Sequence, residues 1–138
     1  DWRTCRRNKL NIFSKMKEQI KSIIKDIESV CADDTIKNFY IGKTDNVNDQ
    51  ECEHINNGYT NFSIIAKGTS KIINKAEKEL ISYFRTSRLK SKLANINNGG
   101  GGNTKANTLY IVFVRCNVED ISEVDGSLMS PDYPINIK

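Results

Sequence analysis

The chain has 138 residues, 38% of them apolar and 28% charged, and its 21 basic and 17 acidic side chains leave a net charge of +4; mean hydropathy is −0.53. This is one domain's length with enough apolar residues for a core. No window approaches the roughly 18 uninterrupted apolar residues of a membrane span, and two prolines and eight glycines exclude collagen-like and proline-rich scaffolds.

Charge lies in blocks: +6 over 1–25, −6 over 26–57, +7 over 58–105 and −3 over the remainder. Such alternation builds a surface with basic and acidic faces, either as ordinary solvation or as a polyanion-binding face. The four cysteines, Cys5, Cys31, Cys52 and Cys116, form no C-x-x-C pair, which argues against a zinc knuckle. Two disulfides in any of three pairings, or free buried thiols, both fit. The opening Asp1 reads as a processed or trimmed start. No signal or transit pattern is visible, and the triplet Asn61-Phe62-Ser63 is a glycosylation sequon of a kind common by chance.

A basic N-terminal segment (Arg3, Arg6, Arg7, Lys9) leads into an amphipathic helix over 10–31. Its apolar stripe is Phe13, Met16, Ile20, Ile23, Ile24, Ile27, Val30 and Cys31. Ile36 to Gly42 reads as a buried strand closing at glycine. Residues 43–58 are polar, with a short helix around Asn48–Ile55. Tyr59 to Ala66 is a second strand. Gly68 then breaks the chain, and Thr69 or Ser70 caps a helix reaching about Arg88, with Ile73, Ala76, Leu80, Ile81 and Phe84 on its apolar stripe. Asn95 to Asn107 is a loop holding Gly99 to Gly102. Thr108 to Arg115 is apolar without alternation, as a central strand covered on both faces would be. After it comes an acidic, turn-rich tail, 117–138, in which Pro131 and Pro134 argue against another central strand. The whole, 1–138, is a single α/β (α+β) layer domain: a basic helix over 1–31, a core over 36–115 with a three-stranded central sheet flanked by helices, and the tail.

Four features carry potential chemistry. Tyr40-Ile41-Gly42-Lys43-Thr44 ends the first strand. It is not a phosphate loop, because Asn38 stands where that motif needs its other glycine. His54, the only histidine, follows Glu51 and Glu53, and these carboxylates favour its protonated form. Glu77 borders the apolar stripe of its helix, either as a Mg²⁺ ligand or as a helix-surface partner of Lys75 or Lys78, as Glu79 could also be. Asn95 to Asn103 joins asparagines to four glycines, either a close-approach loop or a plain surface turn.

In order and spacing these features resemble the GIY-YIG endonuclease superfamily over residues 36–103. Tyr40-Ile41-Gly42-Lys43-Thr44 is similar to the family's second motif, and His54 falls where many members carry histidine. Ile64 to Ser70 resembles the third strand and the turn after it. Glu77-Lys78-Glu79-Leu80-Ile81 fits E-x-x-L-I, and Asn95 or Asn97 is similar to the asparagine before the glycines. Two positions depart from the pattern. No Gly-Ile-Tyr precedes Tyr40, and Gln50 stands where the family has its catalytic arginine. The strand over 108–115, with Tyr110, is a candidate replacement for the absent first strand.

The resemblance implies a metal-dependent nuclease of DNA, with RNA left open. Glu77 would hold Mg²⁺ or Mn²⁺, Tyr40 would position or activate the nucleophile, His54 would assist as base or phosphate contact, and Lys43 would partly replace the arginine. Lys67, Lys71, Arg85, Arg88 and Asn95 would contact nucleic acid, and the basic blocks would grip its backbone in a salt-sensitive way. The alternatives are an inactive relative that binds nucleic acid or a protein, and a secreted disulfide-bonded interaction module.

Overall fold

The computed structural model describes residues 2–96, 99, 102–116 and 133–137, with side chains from residue 15 onward. The side chains of Arg3, Arg6, Arg7 and Lys9, residue Asn97 and most of the acidic tail lie outside the described residues. The elements run α1 (Trp2–Cys31), β1 (Ile36–Thr44), α2 (Val47–Asn56), β2 (Asn61–Gly68), α3 (Ser70–Arg85), β3 (Thr108–Arg115) and β4 (Ile135–Ile137). The domain is α+β, but its sheet has four strands in the order β1-β3-β2-β4 rather than the expected three. β3 is antiparallel to both neighbours, and β4 lies parallel to β2 at the far edge. A strand just after Pro134 is compatible with that edge position, where a missing amide donor disrupts no ladder.

The sequence pattern explains the layering. Alternation along β1 sends Phe39 and Ile41 to one face, with Phe113 and Ile111 opposite them on β3. The buried stripes of α1 (Met16, Ile20, Ile23, Ile27, Cys31) and of α3 (Ile73, Ala76, Leu80, Ile81, Phe84) pack against that face. Phe39 and Phe84 meet edge to face with centroids 5.4 Å apart, the arrangement ring quadrupoles favour. Tyr40 and Gly42 point to the other face, beside Tyr110 and the ring of His54 from α2. β3 is buried from Thr108 to Phe113, in keeping with its unbroken apolar run.

β1 is an edge strand, and residues 92–95 cover its edge. The Phe39 amide donates to the Lys92 carbonyl (2.9 Å), and the Ala94 amide donates to the Phe39 carbonyl (2.8 Å). The side chain of Asn95 continues the pairing. Its Oδ1 accepts from the Ile41 amide at 2.9 Å, and its Nδ2 donates to the Ile41 carbonyl at 2.7 Å. An open strand edge is thereby satisfied without another strand. Lys92 itself folds back on the end of α1, donating to the carbonyls of Cys31 and Asp33 at 2.8 and 3.0 Å.

Candidate active site at the edge of β1

A cavity of about 430 Å³ opens beside this covered edge, lined by Tyr40, Lys43, Glu77, Ile81, Ala94, Asn95, Ile96, Gly99, Gly102 and Asn103. Three chain segments build it: the end of β1, the middle of α3 and the loop after α3. Four of the residues singled out in the sequence, Tyr40, Lys43, Glu77 and Asn95, therefore share one wall system.

Glu77 is buried on α3, and its carboxylate faces Lys43 of β1. Its Oε1 lies 3.5 Å from Nζ of Lys43, with the two side chains 9% and 4% exposed. The same ammonium donates to Oδ1 of Asn74, one turn earlier on α3. Helical spacing puts Asn74 and Glu77 on neighbouring turns of one face, and alternation along β1 turns Lys43 toward that face. Asn74 went unnoticed in the sequence, where only its three-residue offset from Glu77 could have flagged it.

His54 sits on the other face of the sheet and does not line the cavity. Its ring lies 5.4 Å from Tyr40, 5.4 Å from Tyr59 and 5.3 Å from Tyr110, so Tyr40 is the wall between imidazole and cavity. Tyr110 stands opposite Gly42 in the β1–β3 register, and its hydroxyl is 2.8 Å from Nε2 of His54. The Gln50 amide nitrogen reaches the same Nε2 at 3.2 Å and the Glu53 carboxylate at 3.4 Å. With two donors converging on Nε2, the network assigns the imidazole hydrogen to Nδ1. Nδ1 is buried and has no hydrogen-bond partner.

The electrostatics of His54 differ from the sequence expectation. Burial outweighs the Glu53 carboxylate, and the pKa falls below its ordinary 6.5, so the ring is neutral at pH 7. Burial also raises Tyr110 strongly and Tyr40 more modestly, with Glu77 adding to the shift at both. Both phenols keep their protons at neutral pH. A neutral imidazole accepting from a buried phenol can take a proton relayed through that phenol.

The predicted nucleic-acid contacts separate. Asn95 lines the cavity and holds the edge of β1. Lys67 on β2 and Lys71 in the first turn of α3 are exposed and do not line it. Arg85 donates to the Ile96 carbonyl at the cavity rim. Arg88 turns instead toward Glu28 of α1, at 3.9 Å, away from the cavity lining. Cys31, Cys52 and Cys116 carry free thiols, and burial pushes Cys31 up to about 12, leaving it an inert core residue.

Among the described residues, no three His, Cys, Asp or Glu side chains gather as a metal-holding group. The cavity fits only a hard cation held by the single Glu77 carboxylate, completed by water and phosphate oxygens, a mode that suits Mg²⁺. Comparison of the chain with protein-family models, curated proteins and solved structures finds no match in any of them.

The direction of the His54 shift sets a pH dependence. Because the folded pKa lies below the unfolded one, the unfolded chain binds the proton first on acidification. Stability is then full above about pH 6.5 and declines as pH falls through the folded value. Thermal melts from pH 7.5 to 5 are expected to show this loss in the wild type and a flatter profile in His54→Gln.

Proposed function

We propose that the chain is a divergent GIY-YIG-like endonuclease that hydrolyses phosphodiester bonds of DNA with a divalent metal. The observation that carries this reading is the convergence of Tyr40, Lys43, Glu77 and Asn95, from distant parts of the chain, on one cavity with the Tyr110–His54 pair behind it. The missing first-motif strand is a departure that favours the non-cutting alternative, and β3 is the candidate replacement for it. β3 pairs with β1, so Tyr110 stands next to the Tyr40-Ile41-Gly42 triplet although it lies about 70 residues further along the chain.

In this reading Glu77 would hold Mg²⁺ or Mn²⁺, which would supply charge stabilisation to the phosphate. The ammonium of Lys43, beside Glu77 in the structure, would serve a nonbridging oxygen in place of the absent arginine. Tyr40 orients the attacking water by hydrogen bonding as a neutral phenol. His54 would take the proton of the attacking water with the Tyr110 hydroxyl between them, and solvent would protonate the leaving oxygen as its bond to phosphorus breaks. The test is plasmid nicking at low salt with Mg²⁺ or Mn²⁺. Wild type is expected to nick, and Glu77→Gln to lose about two to three orders of magnitude of rate. A wild type that retains DNA in a salt-sensitive way but never nicks it would sink the enzymatic reading.

One observation favours a second reading, a domain that binds nucleic acid without cutting it. Gln50, at the arginine position, is engaged with His54 and Glu53 and brings no charge to the cavity. The same assay separates the two, because only binding survives in that case.

A further inference from the structure

Ile96 is 90% exposed, whereas Ile55 and Tyr83, the other large apolar side chains left in solvent among the described residues, are 51% and 40% exposed. Hydrogen bonds anchor the backbone that leads into Ile96. Asn95, the residue before it, is tied to Ile41 by two side-chain hydrogen bonds, and the Arg85 guanidinium donates to the Ile96 carbonyl itself. Further along the loop, Gly99 adopts φ +83°. A Cβ there would lie 3.0 Å from Ile81 Cδ1 and 3.1 Å from Lys78 Cα, so Gly99 itself sits close on α3. The structure thus fixes one apolar side chain, pointing outward, at the mouth of the cavity that holds Glu77.

Its setting selects the partner. Residues 58–105 carry a net charge of +7, and exposed Lys78 and Lys105 flank the loop. A membrane surface or a protein interface calls for a wide apolar patch, and Ile96 is a single side chain among cations and amides. Single strands are gripped by stacking on aromatic platforms, but the rings of Tyr40, Tyr59, Phe62 and Tyr110 cluster with His54 or with one another. Duplexes are kinked by isolated apolar wedges inserted between base steps, with isoleucine among the residues that do this.

We infer that Ile96 is a wedge that enters a base step of duplex DNA and unstacks it beside the cavity. This inference rests on the nucleic-acid reading above and goes beyond it in naming how the duplex is deformed. Unstacking next to the cavity splays the backbone and lets one phosphate descend toward Lys43 and Glu77. The partner is engaged through shape and phosphate contacts, so flexible pyrimidine–purine steps are its favoured sites.

The experiment uses the full chain without divalent metal and short duplexes carrying 2-aminopurine at successive positions, read by fluorescence and by end-to-end energy transfer. Wild type is expected to raise the fluorescence at one step and to shorten the end-to-end distance. Ile96→Ser should lose both responses and Ile96→Leu should keep them. The slope of log affinity against log salt should be the same in all three, because residue 96 neutralises no phosphate. If Ile96→Ser binds and unstacks as wild type does, the wedge is wrong and the nucleic-acid reading stands. If wild type shows no salt-sensitive duplex binding at all, both fall together.

Discussion

Lys43→Met is expected to destabilise the domain by about 3–5 kcal/mol, because it leaves the Glu77 carboxylate buried without the ammonium beside it. At this chain length that corresponds to a fall in Tm of roughly 10 °C or more. Glu77→Met should cost a similar amount by stranding the ammonium of Lys43, whose side chain is only 4% exposed. The double variant Lys43→Met/Glu77→Met should recover to within about 1 kcal/mol of wild type, since two apolar side chains of similar volume need no desolvation to be compensated. Urea and thermal melts of the four proteins close the cycle and give the coupling energy directly. Recovery of the fold with complete loss of nicking would mean that the pair is retained for chemistry. A double variant as unstable as either single one would mean that the pair, with Asn74, contributes net stability, and the case for Glu77 as a metal ligand would weaken accordingly.

Local pattern made most of the elements legible. The three- and four-residue steps of Met16, Ile20, Ile23 and Ile27 mark the packed part of α1, although α1 begins well before them. Thr69 caps α3, its side chain accepting from the Ile72 amide, and the unbroken apolar run of 109–114 marks the central strand. What local pattern lacks is information on pairing between distant segments. Nothing near Lys43 says that its ammonium meets Asn74 and Glu77, so the helix-neighbour partners Lys75 and Lys78 were the natural expectation. Nothing near Asn95 says that its amide closes the edge of β1. β4 escaped notice for the same reason. Three residues carry no usable periodicity, and Ile135–Ile137 is a strand because β2 offers it an edge.

The candidate site is legible in the sequence only in part, and its electrostatics are not. Tyr40, Lys43, Glu77 and Asn95 line one cavity, whereas His54, Lys67, Lys71 and Arg88 do not. Tyr59 joined the cluster unannounced, since aromatic contacts with His54 depend on how α2 lies over the sheet. The charge state of His54 was read from its sequence neighbours, and the neighbours misled. Glu53 does favour the protonated ring, but burial against the tyrosines is the larger effect. A sequence lists nearby carboxylates and says little about which groups lose their water.

Gly42→Ala is expected to be a costly single-methyl change. A Cβ at this position would lie 2.4 Å from both Cζ and the hydroxyl of Tyr110, and 2.9 Å from Cε1 of Tyr40. Tyr40 is half-buried and can give way. Tyr110 cannot, because it is 2% exposed, stacked on Phe62 at 4.9 Å and hydrogen-bonded to His54 at its tip. The methyl must therefore either push β1 from β3 or drive the Tyr110 hydroxyl off the imidazole, at about 1–3 kcal/mol by analogy with overpacked cores. Melting of Gly42→Ala should show that loss, and, under the proposed nuclease function, nicking should fall further than stability alone explains, because the proposed proton path runs through Tyr110. The decisive comparison is Gly42→Ala in a Tyr110→Leu background, where the clashing ring tip is gone. There the alanine should cost almost nothing in stability while activity stays lost. If the alanine remains as costly without the phenol, then the backbone and not the tyrosine demands glycine. If the cost vanishes, the glycine of the Tyr40-Ile41-Gly42 triplet is there to make room for a tyrosine that the chain supplies from its far end.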